Sequence, residues 1–182
     1  NKSVATFTAT DSKNIVFGLA GIKGVGIHAV ESIIKAREEK PFSSFFDFAF
    51  RCDSKVINKR VLEALIASGA FDSLKIGHRA QLFAAIDSAL EFSKMSNATE
   101  GDTDSLFGGN TIETDIVEPK LLQIPHWSES QRLEKEKEVL NFYISGHPLM
   151  KYEAHLRSFS NFYLGQKESP LIGKQVRVCG LI

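Results

Sequence analysis

The glycine-rich run GLAGIKGVG at residues 18–26 constrains the fold of this chain more than any other stretch. Four of its nine residues are glycine, and the helical pattern IHAVESIIKARE follows directly. Glycines allow a sharp turn and a close approach of other atoms to the main chain. A helix that begins directly after such a turn exposes unpaired N–H groups, which can bind a phosphate oxygen. The run therefore predicts a tight hairpin between two short helices.

The first interpretation of this hairpin is that it binds a phosphate. Ile22 and Val25 anchor it from inside, while the backbone of Gly24 and Gly26 faces outward and Lys23 adds a positive charge. Such a site holds a nucleic-acid backbone without reading the bases, because phosphates carry no sequence information.

Two other interpretations use the same glycines. Gly24, Gly26 and Ala29 match a dinucleotide-binding GxGxxA fingerprint, but this motif needs a surrounding βαβ unit. Residues 41–50 instead form a phenylalanine-rich amphipathic segment. The remaining interpretation is structural: the glycines only allow a turn and close helix packing, and nothing binds there.

The composition is that of a globular protein. Of 182 residues 43% are hydrophobic, and no apolar run approaches the roughly 20 residues that cross a bilayer. The N-terminus lacks a signal-peptide pattern, so we expect a cytoplasmic location and no membrane partner. Cys52 and Cys179 lie far from each other and from any histidine cluster. We therefore expect two reduced packing cysteines, with no disulfide and no bound metal.

Charge is distributed unevenly along a chain whose formal net charge is zero. Between Lys13 and Lys94 there are 12 basic and 9 acidic residues, whereas residues 96–126 contain 6 acidic residues and one base, Lys120. A weakly basic segment is thus joined to an acidic one. Bulk charge alone does not predict nucleic-acid binding for such a chain, so any contact with nucleic acid has to be local.

Hydrophobic residues at helical spacing, with capping residues in front of them, predict a mainly α-helical chain behind a short β-hairpin. The predicted elements are a hairpin at 4–19 and helices at 27–39, 45–50 (capped by Ser43 or Ser44), 54–68 (capped by Asp53 or Ser54), 78–93, 127–140 and from about Pro148 onward. The charge run RLEKEKE in the helix at 127–140 is expected to form a solvated face. Residues 174–182 alternate like a strand without a terminating turn, so we expect a segment of a longer protein.

A second hairpin is predicted at Gly69, Ala70 and Phe71, with Arg79 near the start of the helix that follows. The segments 22–37 and 58–93 then form a weak internal repeat of helix, tight hairpin and helix. Two such units side by side could hold two phosphate strands. GAF exposes less backbone than GVG, however, which favours a structural role for the second hairpin.

Four motifs in order resemble a known family: FGLAGIKGVG, PFSSFFDFAFRCD, NKRVLEALIASGAFDSL and EKEVLNFYISGHPL. Over residues 15–150 they resemble the segment of bacterial DNA polymerase III alpha subunits that follows the polymerase core. The resemblance implies a tandem helix-hairpin-helix domain that contacts the backbone of duplex primer-template DNA. The implied DNA-binding residues are Ile22, Lys23, Gly24, Val25 and Gly26 in the first hairpin, and Gly69, Ala70, Phe71 and Arg79 in the second.

The resemblance, together with the loss of helical periodicity in the Ser-, Asn-, Thr-, Gly- and Asp-rich stretch after residue 96, implies a division of the chain. The parts are the end of the fingers region with its β-hairpin at 1–20, the tandem domain at 21–95, an acidic flexible linker at 96–126, a helical connector at 127–172 and the truncated opening strand of an OB domain at 173–182. The family's catalytic aspartates belong to the palm, upstream of this segment, and no matching cluster exists here. We therefore expect no catalytic residue and no cofactor in this chain, whereas the parent polymerase uses Mg²⁺ for nucleotidyl transfer.

The linker contains TDSLFGG, which resembles the family's short motif for binding the sliding clamp. The matching positions are Thr103, Ser105, Leu106 and Phe107, with threonine where the family favours glutamine. In an extended peptide, Leu106 and Phe107 can enter a hydrophobic pocket of a partner. The resemblance thus implies the sliding clamp and other replicative holoenzyme subunits as partners.

Together these observations predict a non-catalytic region of a replicative polymerase that binds duplex DNA and tethers the clamp. Two alternatives from other classes stay open. One is a stand-alone helix-hairpin-helix DNA-repair enzyme, which needs a lysine or aspartate nucleophile shortly after its hairpin helix; EEKPFSSFFD after Arg37 offers no suitable turn for one. The other is a structural helical adaptor, which would show no salt-dependent DNA binding.

Overall fold

A computed structural model describes residues 2–9, 11–101, 117–162, 173 and 175–180, including the helical backbone of 95–101. The described chain is mainly α-helical with one two-stranded antiparallel hairpin, which confirms the predicted fold class. It divides into two compact units, Asn1–Phe142 and Tyr143–Ile182. None of the helices described is long and apolar enough to cross a membrane.

Two short strands precede the helices. Strands β1 (Thr8–Ala9) and β2 (Ile15–Val16) pair antiparallel, within the hairpin predicted at 4–19. The helices in the described residues are α1 (Ile27–Glu39), α2 (Phe45–Arg51), α3 (Lys59–Ala67), α4 (Arg79–Ala84), α5 (Ile86–Gly101), α6 (Glu129–Leu140) and α7 (Glu153–Phe159). Short 3-10 helices lie at Leu19–Gly21, Asp72–Leu74 and Met150–Tyr152.

Helix α1 has the bounds that the sequence predicts. Gly26 is its N-cap with an extended backbone, and the helix ends before Lys40, which is extended and precedes Pro41. Its buried residues recur at helical spacing and form one face: Ala29, Val30, Ile33 and Ala36.

The phenylalanines of α2 lie at the centre of the core. Phe45 and Phe48 both pack against the ring of Phe71, with centroid distances of 5.3 and 5.0 Å and interplanar angles of 89° and 90°. This edge-to-face geometry is one that aromatic pairs prefer. Ser44 caps the helix by accepting a hydrogen bond from the N–H of Asp47, in agreement with the predicted cap.

Helix α3 starts later than predicted. Its N-cap is Asn58, whose side chain accepts a hydrogen bond from the N–H of Val61. Asp53, predicted as a possible cap, instead accepts from the N–H of Lys55 and forms a local turn. Gly69 follows the end of α3 with a φ of 79°, as expected for a glycine just beyond a helix.

The helix predicted over 78–93 is interrupted at Ala85. The N–H of Ala85 is shared between the carbonyls of Gln81 and Leu82, at 3.0 and 3.2 Å, and this tightened turn separates α4 from α5. Helix α5 then continues to Gly101, so the linker predicted to begin at 96 starts with helical backbone.

Residues 117–127, called the strap from here on, run along α4 without regular structure. The side-chain amide of Gln81 donates to the carbonyl of Leu122 at 2.9 Å. The ring of His78, the N-cap of α4, lies 3.1 Å from the carbonyl oxygen of Ile124. The strap, predicted as the end of the linker, is therefore bound to α4.

Helix α6 is joined to the other helices by a buried ion pair. The side chain of Glu136 is fully buried, and its Oε2 accepts from Nη1 of Arg79 at 3.1 Å. The same nitrogen donates to the carbonyl of Ala67 at 3.0 Å, at the end of α3. Buried charges are tolerated when they are paired, so this contact fixes α6 against α3 and α4. The expectation of a fully solvated charge run was wrong for Glu136.

The two cysteines differ in environment. Cys52 is buried at the end of α2, and burial raises the pKa of its thiol to about 12, which agrees with the predicted packing role. Cys179 is exposed, so the same prediction was wrong for it.

The second unit contains α7 and the 3-10 helix Met150–Tyr152 in front of it, so helical structure begins slightly after Pro148. The side chain of Asn161 accepts from the N–H of Arg177 at 2.7 Å. Residues 175–180, as described, carry no strand assignment, and the OB strand at 173–182 stays a prediction.

We expect Glu136→Ala to lower the free energy of unfolding by about 3 kcal/mol, because it removes an acceptor from the buried guanidinium of Arg79. Urea unfolding followed by circular dichroism measures this change. Glu134→Ala is the matched control, an exposed glutamate of the same helix, and should change the free energy by less than about 0.5 kcal/mol. Equal effects of the two substitutions would mean that leaving the guanidinium of Arg79 without this buried partner costs no measurable stability.

Candidate nucleic-acid interface

The first hairpin is a tight turn at residues 22–25. The N–H of Val25 donates to the carbonyl of Ile22 at 3.0 Å, which places Lys23 and Gly24 at the two central positions. Gly24 has a φ of 92°, a value that a type II turn requires at this position and that other residues rarely adopt. Glycine at position 24 is therefore required by the turn itself.

The two hydrophobic residues of the hairpin point inward. Ile22 and Val25 are 3% and 6% exposed and belong to the core, so they anchor the turn as the sequence predicts. Only their backbone can contact a ligand. Lys23 is exposed, and its N–H donates to the carbonyl of Val139 at 2.9 Å, which docks the turn on the last turn of α6.

Backbone N–H groups face solvent around this turn. Within the described residues, the N–H groups of Gly24, Gly26, Ile27 and His28 have no hydrogen-bond partner, and all four residues are exposed. A Cβ on Gly26 would meet no atom within 4 Å. The last three groups lie at the start of α1, where the helix dipole adds a partial positive charge. The arrangement can donate several hydrogen bonds to one anion.

Sequence reasoning missed Arg60, which lies beside this turn. Its Nε is 3.6 Å from the position that a Cβ would take on Gly24. Arg60 is exposed in the first turn of α3, where the helix dipole disfavours a cation. Two neighbouring basic residues at the start of α3, Lys59 and Arg60, were the sequence signal that could have indicated a cation at this site. Lys59 pairs with Asp87 at 2.9 Å, whereas no ion pair of Arg60 is found in the described part of the chain.

The second hairpin is turned toward the interior. Gly69 has a φ of 79°, Ala70 is half-buried, and Phe71 is 4% exposed. The N–H groups of Gly69 and Ala70 donate to the carbonyls of Ile66 and Leu65, both at 3.0 Å. These donors are occupied within the chain, which favours the structural role that GAF predicts. A phosphate contact of the second hairpin stays a prediction.

Arg79 is engaged by acceptors of the chain itself. Its side chain is 10% exposed, and its Nε and Nη2 both pair with the carboxylate of Asp72, with Nη2 at 2.6 Å. Burial by itself would lower the pKa of the guanidinium, but the hydrogen bonds and charges of Asp72 and Glu136 outweigh this and raise the pKa. A Cβ on Gly69 would collide with this guanidinium. A phosphate could reach Arg79 only by displacing these partners, so the geometry does not favour its predicted contact with DNA.

The predicted clamp-binding positions Thr103, Ser105, Leu106 and Phe107 lie outside the described residues, and their role stays a prediction. Among the residues that are described, no group of three or more His, Cys, Asp or Glu side chains could hold a metal ion. Of the predicted sites, the structure thus brings together the first hairpin, with its backbone donors and Lys23, and adds Arg60 to it.

A protein-family model described as a helix-hairpin-helix motif matches residues 1–82, which include the first hairpin and extend into α4. The match starts before the domain boundary that the sequence predicts at residue 21.

The chain is also similar to curated proteins over most of its length. It is 37% identical over 185 residues to the DNA polymerase III subunit alpha of Vibrio cholerae, covering 100% of this chain and 16% of that protein. The DNA polymerase III alpha subunits of Neisseria meningitidis serogroup B and Bacillus subtilis are each 41% identical to it, over 88% and 86% of this chain and 14% of either protein. The chain thus spans between one seventh and one sixth of the length of these curated relatives.

The two glycines of GVG should respond differently to alanine. Gly24→Ala forces a side chain into a left-handed backbone and should lower the free energy of unfolding by about 1–2 kcal/mol. Gly26 has a φ of −75° and open space around it, so Gly26→Ala should cost only about 0.5 kcal/mol, from weaker capping. Urea unfolding of both variants checks this order. A larger loss at Gly26 would mean that packing, rather than access to the main chain, requires glycine there.

Proposed function

Because the chain belongs to the family of bacterial DNA polymerase III alpha subunits, we propose that it is a region of such a subunit that binds duplex primer-template DNA through its first hairpin. The observation that carries this proposal is the set of exposed N–H groups at residues 24 and 26–28. They surround the start of α1 beside the exposed Lys23. Donors, helix dipole and charge all favour a phosphate oxygen at this position.

The contact is with the DNA backbone and not with the bases. Main-chain donors and a lysine carry no means of reading base edges, so the affinity should depend on salt and little on sequence. Ile22 and Val25 serve this function from inside, because their burial holds the main chain of the turn in place. A polymerase has to hold any template it copies, and a sequence-independent contact meets that need.

The second hairpin supports this site indirectly. Gly69, Ala70 and Phe71 pack the turn against α2 and α3, and Arg79 connects it to α6. In the proposal these residues keep the two hairpins in a fixed arrangement, and any contact they make with DNA is secondary.

We place the chemistry of the parent polymerase outside this segment. The sequence contains no aspartate cluster that matches the catalytic residues of the family. Template-directed DNA synthesis, with its Mg²⁺ ions, is then the task of other parts of the parent chain in the cytoplasm. This region contributes DNA binding.

The proposal includes tethering of the sliding clamp by Thr103, Ser105, Leu106 and Phe107. What supports it is the similarity of TDSLFGG to the family's clamp-binding motif and the acidic, polar sequence around it. A short peptide of this kind gains most of its affinity from one or two hydrophobic anchors. Other subunits of the replicative holoenzyme are further proposed partners.

The DNA-binding proposal is tested by Gly26→Asp, with Gly26→Asn as a matched control. Both side chains can cap α1, so neither should destabilise the fold. The aspartate, however, places a negative charge at the N–H donors. We expect Gly26→Asp to bind duplex DNA roughly tenfold more weakly than Gly26→Asn, because a phosphate would meet this carboxylate.

Fluorescence anisotropy of a labelled primer-template duplex over a salt series measures this difference, for two duplexes of unrelated sequence. The wild-type chain should show a salt slope of a few released counterions on both duplexes. Wild-type affinity in both the aspartate and the asparagine variant would remove the hairpin as the binding site. A wild-type chain without salt-dependent binding would support a structural adaptor instead.

Leu106→Ala combined with Phe107→Ala should weaken binding of the sliding clamp by at least about tenfold and leave DNA binding unchanged, because the two side chains are the proposed anchors. Surface plasmon resonance with the immobilised clamp measures the first effect. Ile112→Ala combined with Ile116→Ala removes two apolar side chains from the same linker outside the motif and should change neither affinity. Clamp binding that survives the first double substitution would place the clamp contact elsewhere.

A further inference from the structure

A groove of about 490 Å³ lies beside the first hairpin, between the turn, α3, α4 and α6. Three cations from three different elements line it: Lys23 from the turn, Arg60 from α3 and Lys135 from α6. Two carboxylates, those of Glu63 and Glu138, line it as well. Cations that are distant in the sequence thus meet at one concave surface next to the proposed phosphate site.

The cations of this groove are available to a ligand. In the described part of the chain, Lys23, Arg60 and Lys135 form no ion pair. The stem of Arg60 follows the turn closely, with Nε and Cγ at 3.6 and 3.8 Å from the Cβ position of Gly24. Because Gly24 has no side chain, the guanidinium and the main-chain donors of the hairpin lie next to each other.

Aromatic rings hold Lys135 in place without neutralising it. Its Nζ lies 4.6 Å from the ring centre of Phe83 and 5.2 Å from that of Trp127. Cation–π contacts restrain a lysine but leave its charge and its hydrogen-bond donors intact. Phe83 is itself part of the groove lining. The ammonium is therefore positioned at the groove before any ligand arrives.

We infer that this groove is a second phosphate-binding site, with Arg60 and Lys135 as its binding residues, for the DNA strand that the hairpin holds. The inference rests on the proposed function, since the strand has to be bound at the hairpin first. A guanidinium matches a phosphate with two parallel hydrogen bonds, and a lysine adds a point charge. Two neighbouring phosphate sites would fix the direction in which the strand leaves the hairpin.

The carboxylates in the groove favour a tethered phosphate over a free one. Three cations and two carboxylates leave an excess of one positive charge, which attracts a free anion only weakly. A phosphate of a strand already held at the hairpin binds in an intramolecular step, at an effective concentration on the order of millimolar. The expected ligand is therefore the DNA backbone, and inorganic phosphate should bind poorly.

The test compares Arg60→Gln, Lys135→Gln and Lys40→Gln in the 182-residue chain. Anisotropy of a labelled primer-template duplex is measured over a salt series. The two groove variants are Arg60→Gln and Lys135→Gln. Each should bind the duplex about tenfold more weakly than the wild-type chain at low salt, and its salt slope should be smaller by about one. Lys40→Gln removes the same charge beyond the far end of α1, roughly 20 Å from the hairpin at about 1.5 Å per residue, and should leave both values unchanged.

The outcomes separate this inference from the proposed function. If Gly26→Asp loses DNA binding while both groove variants keep the wild-type affinity and slope, the groove site is overturned and the hairpin site stands. If the wild-type chain shows no salt-dependent binding, both fail. A further experiment is calorimetric titration with inorganic phosphate at matched ionic strength. If the wild-type chain binds inorganic phosphate tightly and Arg60→Gln abolishes that binding, the groove is a site for a free anion and the inference is overturned.

Discussion

The packing of the unit Asn1–Phe142 depends on the guanidinium of Arg79. It lies at the start of α4 and bonds at once to the carbonyl of Ala67, at the end of α3, and to the buried carboxylate of Glu136 in α6. The carbonyl of Val139, one turn further along α6, accepts the N–H of Lys23 in the first hairpin. A buried ion pair near the second hairpin therefore helps to position the first. Burial makes such a pair costly to break, which gives the arrangement rigidity rather than a large net gain in stability.

The two hairpins share glycine, a buried hydrophobic residue and a following helix, yet they differ in what they leave exposed. In the first, α1 begins directly after Gly26, so the free N–H groups of the helix start lie beside the turn. In the second, residues 72–78 separate the turn from α4, and the N–H groups of Gly69 and Ala70 bond back to α3. The short connection in the first unit thus creates the candidate phosphate site. The longer one allows Phe71 to fill the core between the rings of α2.

Local signals explain what the sequence could predict. The glycine spacing and the periodicity of residues 27–39 define the first hairpin and α1, because turn geometry and helical burial depend on neighbouring residues. The start of α3 was mispredicted because Asp53 and Asn58 are both good caps, and tertiary packing decides between them. Glu136 was expected in solvent because its partner Arg79 lies 57 residues away. The approach of Arg60 to Gly24 is also a long-range contact, without a local pattern to indicate it.

The donors at the first hairpin belong to the peptide bonds of Gly24, Gly26, Ile27 and His28, and not to their side chains. Truncating a side chain leaves its peptide N–H in place. Alanine scanning of this surface would therefore detect the need for glycine in the turn at position 24 and the charge of Lys23. It would not detect the N–H groups that are best placed to bind an anion. Substitutions that occupy or remove the N–H itself, such as a capping side chain or an ester in place of the amide, probe these groups directly.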